Sequence, residues 1–203
     1  MSINRVAVWL VAAAPTVLAA VVFVTQLGPR NAILATDFRS YYTAGRMLLG
    51  GVRSDFYAPA VQFAWQHAWA PEMQSPAELN PFRNPPFVAG LFAPVAWLPV
   101  ELAFLLWTAV NVGLLCVLVV CCQRALTECS SRVRRRALVL SISFLPVIVT
   151  LLLGQISLLL AIAMLSAWMA FRARRDGLAG LALALLLIKP QFQIGRASCR
   201  ERV

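Results

Sequence analysis

The chain has 203 residues, of which 61% are hydrophobic and 13% are charged, whereas about 25% of the residues in a soluble domain are charged. This composition excludes an ordinary soluble domain and indicates an integral membrane protein. The formal net charge is +10, and the arginines that carry it cluster between apolar segments. That arrangement is typical of a membrane topology signal rather than a nucleic-acid-binding surface, so we expect no nucleic-acid partner.

The first apolar segment, residues 6–27, contains no charged residue. At about 1.5 Å of rise per helical residue, it is long enough to cross a hydrocarbon core of about 30 Å. A cleaved signal peptide is the alternative. The segment is long for a signal peptide and further apolar segments follow it, so we favour an uncleaved membrane anchor.

Four later apolar segments complete the predicted spans, at residues 102–122, 137–153, 156–171 and 177–188. The connections that contain the arginine clusters, residues 124–136 and 172–175, are short and therefore assigned to the cytoplasm by the positive-inside rule. The N-terminus is then also cytoplasmic, and residues 28–100 form a long external loop. We predict an all-α integral membrane protein with about five spans in this chain.

Two helices are predicted inside the external loop. Residues 38–49 carry aromatic and aliphatic side chains at helical spacing and stop at two glycines, which predicts a helix lying on the membrane surface. Residues 87–98 follow two prolines and are too few to span the bilayer, which favours an interfacial or re-entrant helix. The single histidine, His67, is interpreted as an ordinary loop residue between them.

The last ten residues, IGRASCRERV, break the apolar pattern abruptly. They are also what a common sequencing-library adapter encodes when it is translated, and the next triplet of that adapter is a stop codon. We therefore expect residues 194–203 to be non-native and residues 1–193 to be the N-terminal part of a longer protein. An ordinary basic tail is the alternative.

The unusual polar residues fall at the external ends of the predicted spans. Asp37 follows the first span, and Gln155 lies in a tight hairpin between two others. Lys189, the single lysine, ends the last span. Ionisable groups at membrane depth usually mark function, which predicts a site at this face. Plain structural roles are the alternatives: Asp37 could cap the following helix, Gln155 could belong to a simple turn, and Lys189 could reach toward lipid headgroups.

A series of short motifs follows along residues 1–193: DFRSYYTAGRMLLGG, DFYAP, FRNPPFVAGLFAPVAWLP, a tryptophan and an asparagine within a span, GQISLLL and AGLALALLLIKPQ. In this order they resemble glycosyltransferase family 87, the polyprenol-phosphate-mannose-dependent mannosyltransferases of the GT-C superfamily. The resemblance implies a multi-pass protein of the bacterial plasma membrane with its active site on the external, periplasmic face. It also implies a polyprenyl-phosphate sugar donor, a glycolipid or glycan acceptor, and further spans beyond this chain.

The resemblance implies that the aspartate of the first external loop, here Asp37, acts as the general base. A positioned carboxylate can take the proton of the attacking hydroxyl, and a single carboxylate on the acceptor side predicts inversion at the anomeric carbon. Lys189 is the first candidate for the cation that holds the leaving phosphate, with Arg46 and Arg83 as weaker candidates. No metal-binding pair of aspartates lies near Asp37, so we expect no metal and no other cofactor.

The predicted substrate-binding residues are Lys189, Gln155, Tyr41, Tyr42, Arg46 and Asn84. The two tyrosines could stack on a sugar ring or lie at the membrane interface. Besides a hexosyltransferase, two functions stay open: a transporter or flippase subunit for lipid-linked sugars, and a non-catalytic membrane scaffold. A transporter would require polar residues along a path through the bilayer, so polar residues gathered at one face favour the transferase.

Overall fold

The computed structural model describes residues 33–127, 129–143 and 145–189. The predicted first span, residues 6–27, and the suspected non-native tail, residues 194–203, lie outside these described residues. The described residues form helices and no strand, which confirms the all-α class for this part of the chain. In chain order the helices are α1 (Phe38–Leu49), α2 (Pro59–Trp69), a 3-10 turn (Pro76–Glu78), α3 (Pro86–Ala96), α4 (Val100–Ala125), α5 (Ser131–Ser143), α6 (Leu145–Leu153), α7 (Ser157–Arg172), α8 (Asp176–Ala184) and a second 3-10 turn (Leu185–Ile188).

Helix α1 has the predicted bounds, and other helices cover most of its surface. Its side chains are buried on most sides, and Phe38, Tyr42 and Met47 are at most 1% exposed. A helix lying on a membrane surface buries one face in protein or lipid and leaves the other in water. Within the described fold α1 is the central helix against which α2, α3 and α4 pack, and its position at the membrane surface stays a prediction.

The closest approach between α1 and α3 occurs at Gly45. A Cβ atom placed there would lie 2.9 Å from the Cβ of Ala96 and 3.0 Å from the carbonyl of Phe92. Contacts this short leave no room for a side chain, so the glycine lets the two helix backbones approach each other. The same approach brings the ring of Phe92 onto the ring of Tyr41, with centroids 4.7 Å apart and planes 11° from parallel.

We expect Gly45→Ala to destabilise the protein, because the added methyl group meets the backbone of α3 and one of the two helices has to move. Overpacking of this kind lowers the free energy of unfolding by about 1–3 kcal/mol. Gly90→Ala is the matched control, since a Cβ at Gly90 in α3 meets nothing within 4 Å. That change should be neutral or stabilise the protein by up to about 1 kcal/mol through helix propensity. Thermal unfolding in detergent would measure both variants, and equal unfolding temperatures for the two would contradict the prediction.

Helix α2 was not predicted, and it corrects the interpretation of His67, which lies inside this helix rather than in a loop. A proline at its first position favours the start of the helix. Two buried glutamines of α2 hold the segment that leads to α3: Gln62 bonds both the N–H and the carbonyl of Phe82, and Gln66 bonds both the N–H and the carbonyl of Asn80. These paired hydrogen bonds satisfy backbone N–H and C=O groups of an irregular segment and hold that segment against α2.

Helix α4 has 26 residues. Within the described residues it is the one helix that is both long and apolar enough to cross a membrane, judged by length and composition. The predicted span at residues 137–153 is divided between α5 and α6, and α5 includes the arginine cluster of residues 132–136 that was predicted as a loop. Arginine has a high helix propensity, so a basic segment beside an apolar one readily continues its helix. The segment predicted at 156–171 is confirmed as a helix, α7, displaced by one residue.

Candidate active site

Asp37 stands at the N-cap position of α1, but its side chain makes no capping hydrogen bond. The carboxylate oxygen Oδ2 instead accepts a hydrogen bond from Nε2 of Gln155, at 2.5 Å. The alternative role, in which the side chain caps α1, is therefore not seen, because the hydrogen bond of the carboxylate goes to Gln155. The carboxylate points toward the turn between α6 and α7, which lies 118 residues further along the chain.

That turn depends on Gly154, whose φ of +62° lies in the left-handed region that favours glycine. A Cβ atom at this position would lie 2.8 Å from the Cβ of Phe38 and 3.2 Å from the ring of Phe104. The carbonyl of Gly154 accepts a hydrogen bond of 2.7 Å from the indole Nε1 of Trp107 in α4. The glycine thus packs directly against the start of α1. The indole of Trp107 fixes the orientation of the peptide group between Gly154 and Gln155.

A chain of hydrogen bonds joins the predicted cation to the predicted base. Nζ of Lys189 donates to Oγ of Ser157 at 3.4 Å, and this hydroxyl donates to Oε1 of Gln155 at 3.2 Å. Gln155 then donates through Nε2 to Asp37. Because the hydroxyl donates to the amide oxygen, the amide nitrogen faces the carboxylate, so each of the three hydrogen bonds joins a donor to an acceptor.

The two charged ends of this chain are separate and partly open to solvent. Within the part of the chain that the structure describes, no direct ion pair joins Lys189 to Asp37, and two neutral side chains stand between them. Partial burial lowers the pKa of Lys189 below its usual value, an effect that the negative charge of Asp37 partly offsets. The second oxygen of Asp37, Oδ1, accepts no hydrogen bond from the described residues, so this oxygen has room for a proton from a substrate.

Asp37, Gln155, Ser157 and Lys189 form a polar cluster, and Asn84 is connected to it by a structural hydrogen bond. Its Nδ2 donates to the carbonyl of Ile188 at 2.9 Å, directly before Lys189 in the chain. This bond ties the segment before α3 to the end of the second 3-10 turn. Asn84 was predicted to bind substrate. The structure brings it beside Lys189 but commits one of its amide hydrogens to holding the backbone there.

The two predicted substrate-binding tyrosines are buried. Tyr41 and Tyr42 are 5% and 1% exposed, and the Tyr42 hydroxyl donates to the carbonyl of Leu98 at 2.9 Å. Burial, with the charge of Asp37 as a smaller cause, raises the pKa of the Tyr41 phenol. Neither ring has a face open to a sugar, because both pack against aromatic side chains of the core. The structure gives both tyrosines a packing role, and their contact with a sugar stays a prediction.

Arg46 is exposed near the C-terminal end of α1, nine residues beyond Asp37, with its guanidinium 6.0 Å from the centroid of the Tyr42 ring. At about 1.5 Å per residue, the helix separates their backbones by about 13 Å. Arg46 therefore does not belong to the cluster around Asp37, and Lys189 is the cation that the fold brings to that cluster. The binding role of Arg46 stays a prediction, at a position away from this cluster.

A comparison with protein-family models gives a match to glycosyltransferase family 87 over residues 82–195. The matched segment covers more than half of the chain. The chain belongs to glycosyltransferase family 87. No curated protein and no solved structure matches the chain.

Membership in family 87 implies glycosyltransferase activity, and so a sugar donor and an acceptor. The matched segment begins at Phe82 and includes Asn84, Gln155 and Lys189. Asp37 and helix α1 precede it. The hydrogen bond between Asp37 and Gln155 therefore connects a residue outside the family match to one inside it.

Two residues in or beside the cluster, Ser157 and Trp107, were not predicted to act there. Ser157 follows Gln155 by two positions in the GQISLLL motif, and a hydroxyl so close to a candidate amide was a local signal for a hydrogen bond between them. Trp107 was noted only as part of the motif series. Its contact with Gly154 spans 47 residues, so nothing in the local sequence predicts it.

Proposed function

We propose that this glycosyltransferase is a membrane enzyme that transfers a hexose, with mannose the expected sugar, from a polyprenyl-phosphate donor to a glycolipid or glycan acceptor on the external face. Asp37 acts as the general base and Lys189 binds the leaving phosphate. The observation that carries the proposal is the hydrogen-bonded chain from Lys189 through Ser157 and Gln155 to Asp37. It holds a carboxylate and a cation near each other without letting them neutralise each other directly.

The base would act through the free oxygen of Asp37. As the acceptor oxygen forms its bond to the anomeric carbon, its proton moves to Oδ1, while Oδ2 keeps its hydrogen bond to Gln155. General-base catalysis by a positioned side chain contributes about 10²–10⁴ in rate. With one carboxylate on the side of the incoming hydroxyl, the configuration at the anomeric carbon inverts.

The leaving group would depart toward Lys189. The bond between the anomeric carbon and the phosphate oxygen breaks, and the electron pair of that bond stays on the phosphate. The ammonium group stabilises this charge as it develops, because a cation in a partly desolvated site interacts strongly with phosphate. Helix α7 begins at Ser157, and the N-terminal end of a helix also favours a nearby anion.

The positions of the arginine clusters support an external site. Helix α4 begins near the site and ends at Arg124 and the basic segment that follows, which at 26 residues is about 39 Å away. Helix α7 begins at Ser157 and ends at Arg172, about 24 Å away for its 16 residues. Because arginine-rich connections stay in the cytoplasm, the opposite ends of both helices would face outward. The exposed ring of Trp97, which precedes α4, fits a membrane interface on that side.

The direct experiment is a transfer assay with the full-length protein reconstituted into lipid nanodiscs. Polyprenyl-phosphate mannose with a radiolabelled sugar is the donor, and a membrane lipid extract supplies acceptors. We expect labelled glycolipid or glycan to form, and we expect none when the nucleotide sugar replaces the lipid-linked donor. Absence of transfer from any polyprenyl-phosphate sugar would overturn the proposal in favour of a transporter subunit or a scaffold.

The lowered pKa of Lys189 predicts an unusual pH dependence of donor binding. A lysine with a lowered pKa keeps its charge below that pKa and loses it at a lower pH than an ordinary lysine does. Donor affinity should therefore weaken as the pH rises through the alkaline range. Lys189→Arg should remove this alkaline weakening, since a guanidinium stays charged. Lys189→Met should weaken donor binding by about 10- to 100-fold at neutral pH.

Binding of the polyprenyl-phosphate donor at several pH values, measured by quenching of intrinsic tryptophan fluorescence, would check this prediction. Arg46→Met is the matched control, because it removes an exposed cation that lies outside the cluster. Equal losses of affinity in the Arg46 and Lys189 variants would contradict a specific role for Lys189.

A further inference from the structure

A separate cleft of about 480 Å³ lies between the start of α2 and the segment at residues 76–83. Its walls include three prolines, the rings of Tyr57 and Phe82, and the side chain of Arg83. Prolines restrict the backbone on both sides, so the walls are comparatively rigid. The volume lies within the range of about 300–1,000 Å³ that is usual for ligand sites.

The ring of Tyr57 is held in place by contacts on its inner side. It lies nearly parallel to the ring of Phe82, with centroids 6.4 Å apart and planes at 16°. Its hydroxyl donates to the carbonyl of Asn84 at 2.7 Å. The residue nevertheless remains 48% exposed, so an oriented aromatic surface faces the cleft.

Arg83 adds a group of hydrogen-bond donors at the edge of the cleft. It is exposed and forms no ion pair with the described residues, so its five N–H donors can serve a ligand. In the segment at residues 79–84, Leu79, Pro81, Phe82 and Arg83 line the cleft. Asn84 accepts a hydrogen bond from the Tyr57 hydroxyl through its backbone carbonyl and donates one to the carbonyl of Ile188 through its side chain. The segment therefore lies between Tyr57 of the cleft and the Lys189 end of the cluster.

We propose that this cleft binds the non-reacting sugar residues of an oligosaccharide acceptor. The inference rests on the proposed transferase function and identifies where its acceptor is held. A sugar ring presents an apolar C–H face that can pack on the exposed ring of Tyr57 and hydroxyl groups that can accept hydrogen bonds from Arg83. Because the segment at 79–84 separates the cleft from the catalytic cluster, a bound glycan could cross that segment and place its terminal hydroxyl near Asp37.

The test measures binding of mannotriose to the full-length protein in nanodiscs by saturation-transfer NMR and titration. We expect Tyr57→Ala and Arg83→Ala each to weaken binding by about tenfold, a typical loss for one aromatic contact or one charged hydrogen bond. Phe87→Ala is the matched control, because it removes an exposed aromatic ring that does not line the cleft. Arg83 is exposed, so its variant tests the cleft even if the Tyr57 variant fails to fold.

The outcomes separate this proposal from the proposed transferase function. Mannotriose binding that depends on Tyr57 and Arg83, in a protein without transfer activity, would support the cleft and count against the transferase. Transfer activity with unchanged acceptor KM in both variants would overturn the cleft and leave the transferase in place. Binding of inorganic phosphate at Arg83 without any binding of mannotriose would also overturn it.

Discussion

Asp37→Asn should lower kcat for sugar transfer by about 10²–10⁴-fold, the contribution expected of a general base. Asparagine keeps the size of the side chain and can still accept a hydrogen bond from Gln155 through its carbonyl oxygen. It cannot take the proton of the acceptor hydroxyl at neutral pH. Binding of the donor should therefore survive while catalysis is lost, and steady-state kinetics with the polyprenyl-phosphate donor would separate the two effects.

Asp55→Asn is the matched control for this experiment. Asp55 is an exposed carboxylate in the segment between α1 and α2, and its described partner is the neighbouring Ser54. The same chemical change at this position should leave kcat within about twofold, as expected for a surface substitution. An Asp37→Asn protein as active as wild type would remove Asp37 from the mechanism, even if the protein is a transferase.

Gly154→Ala should damage both stability and activity, because this glycine combines a left-handed backbone with close packing. A non-glycine residue in the left-handed region costs about 1–2 kcal/mol. The added Cβ would also lie 2.8 Å from the Cβ of Phe38, which adds an overpacking penalty of about 1–3 kcal/mol. Relief of this contact requires the turn and the start of α1 to separate, so Gln155 and Asp37 should lose their hydrogen bond. A displacement of about 1 Å at a site can lower activity by about 10²-fold.

Gly51→Ala isolates the contribution of packing. Gly51 also has a positive φ, +78°, but a Cβ there meets nothing within 4 Å. This control should show the backbone strain of about 1–2 kcal/mol and normal kcat. Thermal unfolding and transfer kinetics on both variants would check the difference. Equal behaviour of the two variants would mean that the contact between Gly154 and Phe38 has no role in positioning Gln155.

The helical class and several helix bounds could be predicted because they depend on local patterns. Residues 38–49 form a helix with the predicted limits, since apolar spacing and the two following glycines act within a few residues. The bounds of the helix at residues 157–172 were predictable for the same reason. A glycine turn precedes this apolar segment and an arginine cluster follows it, and both act locally to limit the helix. Helix α2 was not predicted, because its mixture of polar and aromatic residues gives only a weak helical periodicity of apolar side chains.

The polar cluster was partly predictable for a different reason. Arginine clusters mark one end of the apolar helices, so the polar residues at their other ends were expected to share a face. The structure brings Asp37, Gln155 and Lys189 into one hydrogen-bonded chain. Their chemical roles remain predictions until activity is measured.

The sequence by itself determined that the apolar segments are helical and at which ends of those helices the polar residues lie, because backbone propensity and apolar periodicity are properties of neighbouring residues. Only the tertiary structure decided that Asp37 bonds Gln155 rather than capping α1. It also decided that the rings of Tyr41 and Tyr42 pack in the core of the described residues. Apolar spacing shows that a side chain avoids water, but packing between distant segments decides which side chains it meets.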